Sequence, residues 1–139
     1  MWVIFEGLDK SGKGTLEREF LKATNYKHIV IDRGPVGYFV FDSLFRRRTD
    51  EGDKGFGKNL FWMNLSQDFL VIYCKAPFDV VKQRLKEHNE TCPYDYEVAQ
   101  RCYDIAVENL YENEGIKVIT VDTTKSIDEC LSLILGGLK

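Results

Sequence analysis

Residues 7–15, Gly7-Leu8-Asp9-Lys10-Ser11-Gly12-Lys13-Gly14-Thr15, follow the apolar run "WVIFE" at 2–6 and precede a helical pattern in which Leu16, Phe20 and Leu21 share a face. A strand that feeds a glycine-rich loop, which then opens a helix, is the context that separates a phosphate-binding loop from a chance cluster of glycines. The loop's backbone N–H groups and the positive end of the helix can surround a β-phosphate, with Lys13 reaching toward β and γ oxygens. Gly14 takes the eighth position of the pattern, where Ser or Thr is usual. The hydroxyl arrives one residue later, at Thr15, which makes Thr15 the loop's candidate magnesium ligand. The competing reading is a tight strand-to-helix turn with incidental lysines; context and spacing together favour phosphate.

Three further runs are rich in β-branched and aromatic residues: "HIVID" at 28–32, "FLVIYC" at 69–74 and "KVITVD" at 117–122. All four runs are nearly continuous in hydrophobicity rather than alternating, which predicts strands buried on both faces of a parallel sheet. Helical patterns lie between them. Val81 and Leu85 follow Pro77, and Val98, Cys102, Ile105, Ala106 and Leu110 form a long stripe. The last helix opens with "SIDE" at 126–129, a capping box in which Ser126 caps a backbone N–H and Glu129 reaches back. The alternation predicts an α/β chain: one open three-layer domain, residues 1–139, with a small, mostly parallel sheet of about four strands and right-handed crossovers. Such sheets bind ligands at the carboxyl ends of their strands, the edge where the loop sits.

Bulk properties narrow the function classes. At 139 residues, 44% hydrophobic and 29% charged, the chain has ordinary globular composition and room for one real core. With 19 basic against 22 acidic residues and a net charge of -3, it has no field that would draw the whole protein to nucleic acid. A polyanion has to be held locally. Cys74, Cys92, Cys102 and Cys130 lack metal-ligand spacing and any secretory context, so they read as reduced thiols of a cytoplasmic protein. "WVIF" is too short for a signal peptide's apolar region, and no segment approaches membrane-spanning length. The turn-rich interruption is "RRRTDEGDKGFGK" at 46–58.

"FEGLDKSGKGT" at 5–15 resembles the P-loop of thymidylate kinases, whose loop carries an acidic residue at the position of Asp9, and its "GKGT" ending is also similar to that of adenylate kinases. "DRGP" at 32–35 resembles the Asp-Arg motif of thymidylate kinases. The run "FLVIYCKAPFDVVKQRLKEH" at 69–88 is similar to their strand, turn and helix leading into the lid, and "VITVDTTKSIDECLSLIL" at 118–135 to their last strand and helix. The resemblance covers most of the chain and is most specific in the P-loop. It implies a P-loop kinase fold, phosphoryl transfer to a nucleotide substrate, and ATP and Mg2+ as cofactors, with Gly7, Lys10, Ser11, Gly12, Lys13, Gly14 and Thr15 around the phosphates. One departure matters. In the family a long segment, with a further strand and much of the monophosphate pocket, separates the first helix from the Asp-Arg motif, whereas only about a strand's length follows Thr24. The resemblance thus implies the transfer more strongly than the acceptor.

Asp32 and Arg33 end the second predicted strand, on the rim that faces the loop. A carboxylate there can hold magnesium or accept a proton, and an arginine can neutralise phosphate charge; a structural pair closing the strand is the alternative. The family geometry implies that Asp9 faces the acceptor; a turn-forming aspartate is the alternative. Some thymidylate kinases carry a basic P-loop residue and lack lid arginines, an arrangement matched by Lys10 and the arginine-free stretch "KEHNETCPYDY" at 86–96. Arg84, on the helix entering the lid, is a candidate nucleotide contact or a solvated side chain. Thr123 and Thr124, after the last predicted strand, resemble the loop that borders adenine in that family, or form an ordinary turn. Arg46, Arg47 and Arg48 either bind an acceptor phosphate or simply face water. The aromatics of "GYFVFDSLF" and "GFGKNLFWMNL" line a base, fill the core or form a homodimer contact.

Three function classes follow: a nucleoside monophosphate kinase of thymidylate kinase type with Lys13, Asp32, Arg33 and Asp9 as its catalytic group; a small kinase acting on a hydroxyl of a nucleoside, metabolite or polynucleotide end, with Asp32 as base; and a nucleotide-binding regulator without turnover.

Overall fold

A computed structural model of the chain describes residues 1–44 and 68–138. Among these residues, strands β1 (Trp2–Glu6), β2 (Ile29–Asp32), β3 (Phe69–Lys75) and β4 (Lys117–Asp122) form one sheet in the order β2-β1-β3-β4, with every neighbouring pair parallel. The helices are α1 (Lys13–Ala23), α2 (Pro35–Leu44), α3 (Phe78–Glu87), α4 (Tyr96–Leu110) and α5 (Ile127–Gly137), with a short 3-10 turn at Glu112–Glu114. The α/β class and the four-stranded parallel sheet agree with the sequence pattern.

The strand order reverses at β1. The chain leaves β1 through α1 to the edge strand β2, then passes back to β3 on the other side of β1. The carboxyl ends of β1 and β3 therefore flank the point where a crevice opens in such sheets. Register fixes what meets there: Glu6 pairs with Tyr73, and Phe5 with Asp32.

Strand side chains alternate between two cores. Val3, Phe5, Leu70, Ile72 and Cys74 pack with Leu16 and Phe20 of α1 and with Cys130 and Ile134 of α5. Ile4, Val71 and Tyr73 pack on the opposite face with residues of α2, α3 and α4. The result is three layers, helices covering both faces of the sheet. Full burial of a side chain such as Phe20 contributes about 2–3 kcal/mol.

Two expectations are corrected. Only the central strands β1 and β3 are thoroughly buried; β2 and β4 are the sheet's edges, and Ile29 is 53% exposed. The apolar stripe of α4 is only in part the buried one: Ala106 is buried and Leu110 is half-buried against the core, as expected, but the other three members are not. Val98, Cys102 and Ile105 are exposed, and the buried face is Tyr96, Ala99, Tyr103, Ala106 and Val107. Both stripes have helical spacing, and the tyrosine stripe is the one that stacks on the sheet, Tyr103 lying 5.3 Å from Tyr73 ring to ring. At α5, Ser126 accepts from the Glu129 N–H at 3.1 Å, the first half of the capping box, without the return bond from the Glu129 side chain. No described helix is long and apolar enough to cross a membrane.

Candidate functional site

The loop between β1 and α1 is shaped by left-handed backbone at Lys10 (φ 62°) and Gly12 (φ 86°). Gly7 is required by crowding: a Cβ there would lie 2.7 Å from the carbonyl oxygen of Cys74 and from Ser11 Oγ. Gly12 is the N-cap of α1, no side chain caps the helix, and its first turn contains no acidic residue. The positive end of α1 and its free N–H groups are therefore left available for an anion.

Lys13 is the first residue of α1, and its ammonium bonds to Asp32 Oδ1 at the end of β2. Partial burial pushes the Asp32 carboxyl up, but the hydrogen bond and charge of Lys13, with help from Glu17 and Arg33, outweigh it and leave the group below the ordinary range. Glu17, one helical turn beyond Lys13, completes this cluster and escaped the sequence reading. Burial, then the Asp32 charge, push its carboxyl up to about 7, and its Oε1 is buried with no hydrogen-bond partner. The available signal was its spacing: i+4 from Lys13 on a helix already predicted.

A cavity of about 540 Å³ runs along the loop, lined by Lys10, Lys13, Arg18, Arg84, Thr123 and Lys125 among others. Arg84 is not a solvated side chain. Its Nη1 donates to the Lys10 carbonyl at 2.7 Å and its Nη2 to the Thr123 carbonyl at 3.1 Å. Thr123 Oγ1 in turn donates to the Lys75 carbonyl at 3.1 Å, so loop, α3 and the ends of β3 and β4 are tied together. Lys10 Nζ stands 3.4 Å from Glu90 Oε1, in the segment after α3. Thr15 is exposed on the first turn of α1, and no atom lies within 4 Å of a Cβ built on Gly14.

Arg33, which does not line this cavity, meets it through Asp9, which does. Its Nη2 donates to Asp9 Oδ1 at 3.2 Å, its guanidinium carbon stands 3.9 Å from the centroid of the Phe41 ring, and its Nε is buried with no partner. The four residues expected to act together, Asp9, Lys13, Asp32 and Arg33, thus meet at one sheet edge in two ion pairs. Of the aromatics at 37–44, Phe41 is buried beside Tyr94 and Tyr103, while Tyr38 is 61% exposed. Arg46, Arg47, Arg48 and the aromatic run at 55–65 lie outside the described residues.

Glu6 also escaped the sequence reading. It is fully buried at the end of β1 and accepts from the Tyr103 hydroxyl, the Tyr111 hydroxyl at 2.9 Å and the Gly34 N–H at 2.8 Å. Burial pushes its carboxyl up, against these bonds and one from the Gly37 backbone.

No family model matches the chain, and no curated protein matches it at a significant level. Solved structures do. The YorR protein from Bacillus subtilis, in complex with phosphorylated GDP, superposes with a TM-score of 0.71 at 18% identity over 99% of this chain and 95% of that one. Deoxyadenosine kinase from M. mycoides with bound dATP superposes at 0.63 and 15% identity, covering 99% of both chains. The same kinase with the product dCMP and a flexible dCDP superposes at 0.58 and 14% identity, over 99% of this chain and 98% of that one. The fold is that of the P-loop kinases.

Proposed function

We propose that the chain transfers the γ-phosphoryl group of magnesium-ATP to a nucleoside monophosphate, in the manner of thymidylate kinases. The observation that carries this reading is the placement of Arg33, a fork-shaped cation that does not itself line the cavity but is paired with Asp9, which does. A monophosphate acceptor requires a cation and no base, because its phosphate is largely ionised near neutral pH. The three strand-end carboxylates are already engaged, Asp32 by Lys13, Glu6 by four donors and Asp122 by the backbone and hydroxyl of Thr124.

ATP fits the cavity side. The loop amides and Lys13 would hold its β and γ oxygens, and Arg84 and Thr123, which pack on the loop at Lys10 and Gly12, line the same cavity. Asp32 and Thr15 are hard oxygen donors suited to magnesium, which retains several waters; the ion supplies charge neutralisation on the phosphates. In the transfer, an acceptor phosphate oxygen held by Arg33 forms its bond to the γ-phosphorus as the bond to the β–γ bridging oxygen breaks. Lys13 and the loop amides stabilise the negative charge that collects on the departing ADP.

The likeness to a deoxyadenosine kinase favours a second reading, transfer to a nucleoside hydroxyl. That reaction needs a base, for which Asp32 is the candidate.

Measuring ATP consumption with nucleoside monophosphates, nucleosides and a 5′-hydroxyl oligonucleotide separates the two. Turnover with monophosphates alone is expected, and turnover with hydroxyls alone would overturn the first reading. In Arg33→Lys, monophosphate-dependent turnover should fall while slow hydrolysis of ATP by water changes less. Equal losses would place Arg33 on ATP.

A further inference from the structure

Glu6 and two tyrosines distant in sequence form a single buried unit. Tyr103 and Tyr111 both donate to the Glu6 carboxylate, and their oxygens accept in turn from the Gly7 N–H at 3.1 Å and the Val36 N–H at 3.3 Å. The remaining acceptor positions of Glu6 take the N–H groups of Gly34 and Gly37. One carboxylate thereby joins the start of the phosphate loop, the turn after Arg33, the first turn of α2, and α4. The first N–H groups of α2 are consumed in this way, so the helix end itself has little left to offer an anion. Charge neutralisation on that side falls to Arg33.

The same unit reaches Arg33 through Gly37. Arg33 has left-handed backbone, φ 66°. A Cβ built on Gly37 would lie 2.1 Å from Arg33 Cγ, 2.6 Å from Glu6 Oε2 and 2.7 Å from the Tyr103 hydroxyl. The arginine stem therefore crosses bare backbone that Glu6 and Tyr103 hold in place, and the guanidinium comes to rest on Phe41. An unfavourable backbone conformation persists only where its surroundings over-determine it, and this buried unit does so.

We infer that Glu6, with Tyr103 and Tyr111, is a positioning residue for Arg33, setting the direction of its guanidinium toward an acceptor phosphate. The functional consequence rests on the phosphoryl-transfer reading; the geometry does not. The test is a double-mutant cycle: Glu6→Gln, and Tyr111→Phe as the milder change, each made alone and with Arg33→Lys. Monophosphate-dependent turnover should fall about tenfold or more in either single variant, and in Tyr111→Phe, which leaves the Tyr103–Gly7 bond at the loop in place, water-dependent hydrolysis of ATP and ATP affinity should stay within about threefold. In the Arg33→Lys background the same changes should cost less than about twofold, because their route is already cut; full additive losses would overturn the inference. Nitrogen-15 spectra decide the geometry without turnover. The buried Arg33 Nε–H should exchange slowly with water in the wild type and markedly faster in Tyr111→Phe. Unchanged exchange would overturn the positioning role. A wild type that transfers to no monophosphate would sink the proposed function while leaving this spectroscopic result to decide the inference alone.

Discussion

The guanidinium of Arg84 donates to the carbonyl of Lys10 at 2.7 Å, fastening helix α3 to the phosphate loop across 74 residues of sequence. Its second arm meets the Thr123 carbonyl, so a single planar fork spans two backbone groups that belong to different elements. Lysine keeps the charge but has no fork. Arg84→Lys should therefore weaken ATP binding about tenfold and lower stability by about 1 kcal/mol, read by titration calorimetry and thermal melts. Unchanged ATP affinity would show that the loop keeps its form without Arg84.

Lys13→Ala removes the partner of Asp32 and the cation proposed to hold the phosphates. Turnover should fall by about 10²–10³, the cost of losing a preorganised charge at a transferring group. The Asp32 carboxyl should titrate higher than in the wild type, because the bond and charge of Lys13 hold it down. Carbon-13 titration of Asp32 checks the second point without any substrate.

Glu17 provides the pH dependence. Burial and the adjacent Asp32 charge raise its carboxyl from 4.5 to about 7, so between those values the folded chain binds a proton that the unfolded chain has released. Its stabilisation is complete below pH 4.5 and is lost as pH rises through 7. Glu17→Gln keeps the neutral form at every pH. Without added metal, its melting temperature should match the wild type near pH 5 and exceed it by a few degrees at pH 8, about 1 kcal/mol after solvent screening. A constant difference from pH 5 to pH 8 would exclude this account.

The two glycines that flank Lys13 should behave oppositely. Gly12 has φ 86°, and its Cβ would stand 3.0 Å from the Thr123 Cβ, so Gly12→Ala should cost about 1–2 kcal/mol and weaken ATP binding. Gly14 has open space around its Cβ, and Gly14→Ser should leave the melting temperature within about 1 °C. Thermal melts of the pair suffice, and equal losses would refute the contrast.

The most local part of the molecule was the most legible in the sequence. β1, the loop and α1 are contiguous, and their shape follows from an apolar run, glycines at left-handed positions and an amphipathic helix. The rim residues Asp32 and Arg33 were legible because a strand end is a place in the fold as well as in the chain. Glu6 and Glu17 were not, since what defines each is a partner brought in by folding: Tyr103 and Tyr111 lie 97 and 105 residues from Glu6. The face of α4 was misjudged in part, and for a related reason. Two apolar stripes fit the helical period equally, and the choice between them is made by Tyr73 and Phe41 across the interface.

The sheet keeps its two hydrophobic cores apart, with the residues of β1 and β3 contributing alternately to each. Changes in the packing of α2 against α4 are therefore separated by a full layer of backbone from the packing of α1 against α5. Sites so far apart vary nearly independently in their effects on stability. A lineage can then rebuild the half that carries Arg33 and Phe41 while inheriting the half that carries the loop helix unchanged. Contacts at the rim, Arg84 on the Lys10 carbonyl and Tyr103 with the Gly7 N–H, are where a change on one side still reaches the other.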